Sequence, residues 1–179
     1  MKVLMVCTGN ICRSPMAEGL LRLRLLERGC TDVDVLSAGT WAYEGNPASV
    51  GALDVFRARG WDLEPHRARE LTVELVREAD LVVAMTSVHR REILELDPDA
   101  GTKTVLIKEL AEIEADVVEG DARVRLAALL AGRRPDPRRA LDLDDPMGLP
   151  SFAYERSFSE IEAGIEVLLE LLCPQPGAG

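Results

Sequence analysis

A thiol and a guanidinium stand close together near the start of the chain, as Cys7 and Arg13. If the segment between them curls around an oxyanion, Arg13 offers a planar fork of hydrogen-bond donors to phosphate. The same positive charge, together with a helix N-terminus, favours the nucleophilic thiolate form of Cys7. The spacing therefore indicates a covalent phosphoryl-transfer site in which protein donors take the place of a metal.

Two predicted elements must hold this segment in place. Lys2 to Val6 are mostly apolar and precede turn residues, which predicts a buried strand. Beyond Ser14 the apolar residues recur with a helical period, so we expect Ser14 to be the helix N-cap and Pro15 the first helical residue. A loop between a strand end and a helix start can aim backbone N–H groups and a helix dipole at one anion.

The run from Cys7 to Glu18 reads Cys-Thr-Gly-Asn-Ile-Cys-Arg-Ser-Pro-Met-Ala-Glu. It closely resembles the low-molecular-weight protein tyrosine phosphatases, in which a Cys-x5-Arg-Ser signature follows an N-terminal strand. The resemblance implies that Cys7 is the nucleophile and that Arg13 binds the phosphate. It also implies a phosphate-binding loop lined by Thr8, Gly9, Asn10, Ile11, Cys12 and Ser14. The alternative is an ordinary strand–helix connection that contains two buried thiols.

A second catalytic group is expected late in the chain. The leaving oxygen needs a proton, and a carboxylic acid can supply it and then act as base for the attacking water. In the family that this chain resembles, the acid belongs to an Asp-Pro step near the C-terminal end. Asp145-Pro146, just before the last predicted helix, fits that position. Asp-Pro steps are also ordinary turns, and the chain has others at Asp97 and Asp136, with Asp142 and Asp144 as close neighbours of the candidate.

Other polar residues have supporting roles by the same resemblance. Asn10, Ser14 and Ser37 match residues that brace the phosphate loop, although Ser37 also fits a turn serine. Cys12 matches a thiol that can form a disulfide with the nucleophile under oxidation, or it is a small buried thiol.

Four further residues have no assigned part in the chemistry. Cys30 and Cys173 are expected to be bystanders, since the cysteine spacing shows no disulfide framework or zinc site. His66 and His89 have no identifiable partner.

The substrate is predicted from the loop side chains. Relatives directed at phosphoarginine have Thr where this chain has Ile11, so an apolar side chain favours phosphotyrosine. Trp41 and Tyr43 can stack on an aryl group, or they are packed as half-buried side chains. Tyrosine-directed relatives have aromatic residues after the Asp-Pro step, whereas this chain has Met147 and Gly148. A protein arginine phosphatase is therefore the main alternative.

Two other classes of protein fit less well. An arsenate reductase of similar fold needs further cysteines near the middle of the chain, and residues 81–100 contain none. A non-catalytic anion-binding module would tolerate loss of Cys7 or Asp145, yet both are present.

Length, composition and net charge limit the kinds of partner that we expect. At 179 residues, with 47% hydrophobic residues, the chain is long enough for one domain, and we expect it over residues 1–173 with a short tail at 174–179. A net charge of −10 argues against nucleic acid, and no apolar run has the length of a membrane span. The expected partners are a phosphorylated protein as substrate and inorganic phosphate or another oxyanion as product or inhibitor. No cofactor or metal is expected, and a nucleophilic thiol suggests the reducing cytosol.

Strand and helix patterns alternate along the chain. This order predicts an α/β fold, with one parallel four-stranded sheet and helices on both faces, and a ligand crevice at the carboxyl ends of the strands, where Cys7 lies. The strands are expected at about 2–7, 34–37, 81–85 and 104–107. The helices are expected at about 14–28, 48–59, 72–77, 87–96, 121–130 and 154–172.

Overall fold

Strands and helices alternate in the computed structural model, which describes residues 1–112, 120–132 and 141–174. The strands are β1 (Lys2–Cys7), β2 (Asp34–Gly39), β3 (Leu81–Ala84) and β4 (Thr104–Leu106). The helices are α1 (Arg13–Glu27), α2 (Val50–Arg57), α3 (Val73–Glu78), α4 (Ser87–Leu96), α5 (Ile107–Leu110), α6 (Ala122–Gly132) and α7 (Ser151–Leu172), and a 3-10 helix covers Pro98–Thr102.

The four strands form one parallel sheet in the order β2-β1-β3-β4, which confirms the predicted fold class. β1 is therefore central, and Cys7 at its end stands opposite Gly39 of β2. The chain leaves β1 toward β2 on one side and later returns to β3 on the other. Such a change of direction opens a crevice at the carboxyl end of the central strand, where ligands bind in open α/β sheets.

Both faces of the sheet are covered. Val3 and Met5 belong to a core with α1, α2 and α7, whereas Leu4 and Val6 belong to a second core with α3 and α4. Successive side chains of a strand point to opposite faces, and a parallel sheet buried on both sides needs apolar residues at every position. This explains why Lys2–Val6 is a continuous apolar run after its first residue.

The helix boundaries differ from the sequence expectations at several points. α7 begins at Ser151 rather than Tyr154, and α2 is shorter than the predicted 48–59. α5 and the 3-10 helix were not predicted, because elements of four or five residues are too short to show a hydrophobic period. α6 agrees with the predicted helix at 121–130. Asp136-Pro137 and the final tail residues 175–179 lie outside the described residues.

A disulfide joins Cys30, just beyond α1, to Cys173 at the end of α7, with Cα atoms 6.3 Å apart. The expectation that these cysteines are bystanders was wrong. They are 143 residues apart in sequence, so only the packing of α1 against α7 brings them together. Arg28 reinforces the same junction, because its guanidinium donates to the Cys173 carbonyl at 2.8 Å and pairs with Glu170.

No helix in the described part of the chain combines the length and the apolar character needed to cross a bilayer.

Candidate active site

The candidate site is the loop between the end of β1 at Cys7 and the start of α1 at Arg13. Three carbonyls of this loop are held by surrounding segments: Trp41 N–H donates to Thr8 O at 2.9 Å, Ser49 N–H donates to Ile11 O at 2.7 Å, and His66 Nε2 donates to Asn10 O at 2.7 Å. With its carbonyls engaged from outside, the loop has the arrangement that backbone anion sites require.

The end of β2 lies directly against this loop. A Cβ atom at Gly39 would overlap the Thr8 carbonyl oxygen and would lie 2.8 Å from Asn10 N. Gly39 therefore allows the two backbones to approach each other closely. This is a physical reason for a glycine after Ser37-Ala38.

Asn10 organises the loop around the nucleophile. It has φ of 52°, in the left-handed region that Asn tolerates. Its Nδ2 donates to Ser14 Oγ at 2.9 Å, and Ser14 Oγ lies 2.9 Å from Cys7 Sγ. Since Ser14 already accepts from Asn10, its own proton is free to donate to the Cys7 thiolate. The expectation that Ser14 is the N-cap was wrong: the N-cap is Cys12, two residues earlier, and the Ser14 side chain is turned toward the sulfur instead.

Ser37 also lies beneath the loop. Asn10 Nδ2 donates to Ser37 Oγ at 2.8 Å, and Ser37 in turn donates to Glu18, which is paired with Arg22. Since Ser37 is completely buried and connects two polar groups, it is part of this network and not a turn serine.

His66 has the partners that sequence analysis did not identify. Its Nε2 donates to the Asn10 carbonyl, and its Nδ1 lies 3.9 Å from Glu18. Burial lowers the pKa of His66 below its ordinary value, so the ring is neutral at pH 7. A neutral ring that donates through Nε2 supports the loop without adding charge beside it.

Arg13 and Asp145 meet at the mouth of the loop. Arg13 Nη2 lies 2.7 Å from Asp145 Oδ2, and Arg13 Nη1 donates to Leu143 O at 3.1 Å. Arg13 Nε is buried and has no hydrogen-bond partner among the described residues. The guanidinium is thus held through Nη1, and its Nε–H remains as a donor without a partner in the described part of the chain.

The neighbouring carboxylates are occupied elsewhere. Asp142 accepts from the backbone N–H and hydroxyl of Ser87, and Asp144 pairs with Arg156 at 2.8 Å. Asp97 caps the 3-10 helix and pairs with Arg77. Of the Asp residues weighed from the sequence, Asp145 is the one that the described structure brings to Arg13.

The second cysteine of the loop has a different environment. Cys12 is buried, and its Sγ lies 3.2 Å from Ser49 Oγ, 3.6 Å from Met147 Sδ and 3.7 Å from Tyr154 OH. Burial raises the pKa of the Cys12 thiol above its ordinary value. Cys12 therefore stays protonated at neutral pH, which separates it chemically from a nucleophile.

A histidine outside the loop also reaches it. His89, in the first turn of α4, is buried with its Nε2 2.8 Å from Thr8 Oγ1 and its Nδ1 2.9 Å from Thr86 Oγ1. Burial, and after it the Arg13 charge, lower the pKa of His89 to about 4. Sequence analysis found no partner for His89, since those partners lie at the ends of two different strands. The sequence feature that could have indicated a partner is the spacing of three residues between Thr86, the N-cap of α4, and His89.

The side chains around the mouth are unusually exposed. Trp41 is 75% exposed and Tyr43 81%, so neither is packed as a half-buried side chain. Met147, on the opposite loop, is 55% exposed. Ile11 is partly buried against the core. The exposed aromatic side chains are available to a ligand.

No group of three or more His, Cys, Asp or Glu side chains within the described ranges has the arrangement of a metal site.

Comparison with known proteins agrees with this geometry. The sequence model described as "Low molecular weight phosphotyrosine protein phosphatase" matches residues 2–125. The chain is 35% identical over 164 residues to the probable low molecular weight protein-tyrosine-phosphatase EpsP of Ralstonia solanacearum, covering 92% of this chain and 90% of that protein. It is also 35% identical over 171 residues to the protein-arginine-phosphatase of Geobacillus stearothermophilus, covering 96% and 95%.

A solved structure gives the same result. The low molecular weight protein tyrosine phosphatase from T. tengcongensis superposes with a TM-score of 0.75 at 36% identity, covering 96% of this chain and 99% of that one. The fold and the loop from Cys7 to Arg13 thus define a Cys-dependent phosphatase. The chain belongs to the low molecular weight phosphotyrosine protein phosphatase family.

Proposed function

We propose that the site hydrolyses protein phosphotyrosine in two displacements through a phosphocysteine on Cys7. In the first, the Cys7 thiolate attacks phosphorus, an S–P bond forms and the P–O bond to the phenol breaks. Asp145 gives its proton to the departing phenol oxygen. In the second, Asp145 takes a proton from water, the water oxygen bonds to phosphorus, and the S–P bond breaks to release phosphate and the thiolate.

The observation that carries this proposal is the convergence of three groups on one loop. Ser14 lies 2.9 Å from Cys7 Sγ and can donate to a thiolate, while Arg13 is held by Leu143 and paired with Asp145. The Asp145 carboxylate is the anion that pairs with Arg13. When a phosphate takes that position, Asp145 is displaced from the guanidinium, takes up a proton from solvent, and holds that proton next to the leaving oxygen.

The loop supplies the charge stabilisation for both steps. In this mechanism Arg13 and the backbone N–H groups of the loop bind the equatorial phosphate oxygens, where negative charge is concentrated in the transition state. All groups in this mechanism belong to the chain itself, so it requires no cofactor or metal.

Phosphotyrosine is favoured over phosphoarginine by the side chains at the mouth. Ile11 offers no hydroxyl to position a guanidinium or a water. Trp41 stands beside the loop, because its N–H is bonded to the Thr8 carbonyl, and with Tyr43 it gives an exposed aromatic wall for a phenyl ring. Protein arginine phosphatase is the second candidate function, since one relative of that activity matches nearly the whole chain.

Trapping the phosphoenzyme tests the mechanism. The protein is mixed with a phosphotyrosine peptide, quenched within milliseconds, and analysed by mass spectrometry of the fragment that contains the loop. We expect one phosphate bound through sulfur to Cys7. This S-linked phosphate should be absent from Cys7→Ser and still present in Cys12→Ser. Phosphate on Cys12, or turnover without any phosphocysteine, would contradict the proposal.

The site of action is proposed to be the cytosol, since the thiolate mechanism needs reducing conditions. The Cys30–Cys173 disulfide lies away from the loop, in which Cys7 and Cys12 are free thiols.

A further inference from the structure

The Thr8 hydroxyl contacts both Arg13 and a buried side chain from outside the loop. His89 Nε2 is 2.8 Å from Thr8 Oγ1, and Arg13 Nη2 is 3.5 Å from the same oxygen. On the other side of the ring, His89 Nδ1 is 2.9 Å from Thr86 Oγ1. One hydrogen-bonded chain therefore runs from the end of β3 through His89 to the two groups that face the phosphate.

The donors and acceptors of this chain fit a neutral ring that carries its proton on Nε2. Thr86 Oγ1 already accepts from the backbone N–H of His89 as the N-cap of α4, at 3.3 Å. If the Thr86 hydroxyl donates its single proton to His89 Nδ1, then Nδ1 must be unprotonated. A neutral ring with Nδ1 unprotonated carries its proton on Nε2 and donates it to Thr8. In the opposite tautomer Thr8 would donate to Nε2 and the Thr86 proton would be left over, whereas in this tautomer Thr86 donates to Nδ1 and the Thr8 proton is left for a ligand at the loop.

Thr8 then has both acceptor positions filled. Its Oγ1 accepts from His89 Nε2 and from Arg13 Nη2, so its own proton can only point away from both. Thr8 is exposed at the loop, so this proton is available to a phosphate bound there. A hydroxyl that is oriented before the substrate arrives does not have to reorient during the reaction.

Some charged groups around His89 raise its pKa and others lower it. Burial and the Arg13 guanidinium oppose a positive charge on the ring, whereas Glu92 on α4 and Asp142 and Asp145 on the loop before α7 favour one. Burial is the larger effect, and the pKa of His89 is lowered to about 4. The ring is thus neutral at the pH at which the thiolate works, as the donor pattern requires.

We propose that His89 is a positioning residue for the phosphatase reaction: it donates from Nε2 to Thr8, and thereby directs the Thr8 hydroxyl and the Arg13 guanidinium at the substrate phosphate. This inference rests on the proposed function and adds to it a residue on α4 that touches neither the substrate nor the nucleophile.

Two substitutions separate positioning from simple packing. The amide nitrogen of His89→Gln can reach the position of Nε2 and keep the donor to Thr8, whereas the shorter side chain of His89→Asn reaches only the position of Nδ1. We expect kcat/KM for a phosphotyrosine peptide to fall about tenfold or more in His89→Asn but less than about threefold in His89→Gln. The loss should appear in kcat more than in KM, because the phosphate contacts strengthen in the transition state. Val88→Ala, at a partly exposed position of the same helix, is the control and should leave turnover unchanged.

Equal losses in the Gln and Asn variants, or no loss in the Asn variant, would overturn the inference while leaving the phosphatase function intact. Absence of turnover in the unmodified protein would instead reject the proposed function.

If the variants do not fold, a measurement on the unmodified protein still tests which nitrogen of His89 carries the proton. Long-range 15N–1H correlation NMR of the His89 ring at pH 7 should show Nε2 protonated and Nδ1 unprotonated. A ring protonated on Nδ1, or on both nitrogens, would overturn the inference.

Discussion

Arg13 and Asp145 form an ion pair with 2.7 Å between Nη2 and Oδ2, although 132 positions separate them in sequence. The guanidinium side chain is 5% exposed and the carboxylate side chain 48%. The pair therefore joins a rigid, buried cation to a solvent-accessible carboxylate on the loop before α7. This arrangement holds the proposed acid beside the phosphate site and lets it move when a phosphate takes its place.

The first prediction concerns Asp145. Asp145→Asn cannot protonate the leaving oxygen, so hydrolysis of aryl phosphates with poor leaving groups should fall by about 100- to 10,000-fold. Substrates with a very good leaving group should lose much less in the first step. The measurement is kcat/KM for a series of aryl phosphates of increasing phenol pKa. Asp144→Asn, which removes a surface pair with Arg156, should follow the unmodified protein. Equal loss across the series would contradict the acid role.

The second prediction concerns Ile11. Ile11→Thr places a hydroxyl on the loop, on the side where a Cβ atom at Gly9 would lie 3.5 Å from Ile11 Cγ1. We expect the ratio of kcat/KM for phosphoarginine to that for phosphotyrosine to rise by about tenfold, on the order of one hydrogen bond. Ile11→Val keeps an apolar, β-branched side chain and should leave the ratio unchanged. A ratio that does not distinguish Thr from Val would show that substrate choice is determined elsewhere.

The third prediction concerns the disulfide between Cys30 and Cys173. Removing a cross-link that closes a long loop typically costs about 2–4 kcal/mol of unfolding free energy. Cys30→Ser should therefore lower the melting temperature under non-reducing conditions, with kcat at room temperature preserved. Adding a reductant should bring the unmodified protein to the same melting temperature. If thiol counting in denaturant without reductant finds four free thiols, the bridge is not formed in solution.

The sequence was sufficient to predict the sheet and the position of the loop between β1 and α1, whereas the roles of the loop residues were implied by the resemblance to a known family. Strand β1 and the residues from Cys7 to Glu18 carry local patterns, since the apolar run, the Gly-Asn turn and the Arg-Ser pair are contiguous. The parallel sheet follows from the alternation of strands and helices.

Contacts between residues that are distant in sequence could not be predicted from the sequence alone. His89 meets Thr8 because β1 and β3 are neighbours in the sheet, and Cys30 meets Cys173 because α1 packs against α7. Ser14 was misjudged for a different reason. A serine before a helical period is a good N-cap by local rules, yet here its hydroxyl faces the Cys7 sulfur.

Phosphate release from a phosphotyrosine peptide and a phosphoarginine peptide, measured side by side for the unmodified protein and Cys7→Ser, tests the central claim most directly. We expect faster release from phosphotyrosine and loss of both activities in Cys7→Ser. Faster release from phosphoarginine would contradict the substrate assignment, and release that persists in Cys7→Ser would contradict the phosphocysteine mechanism.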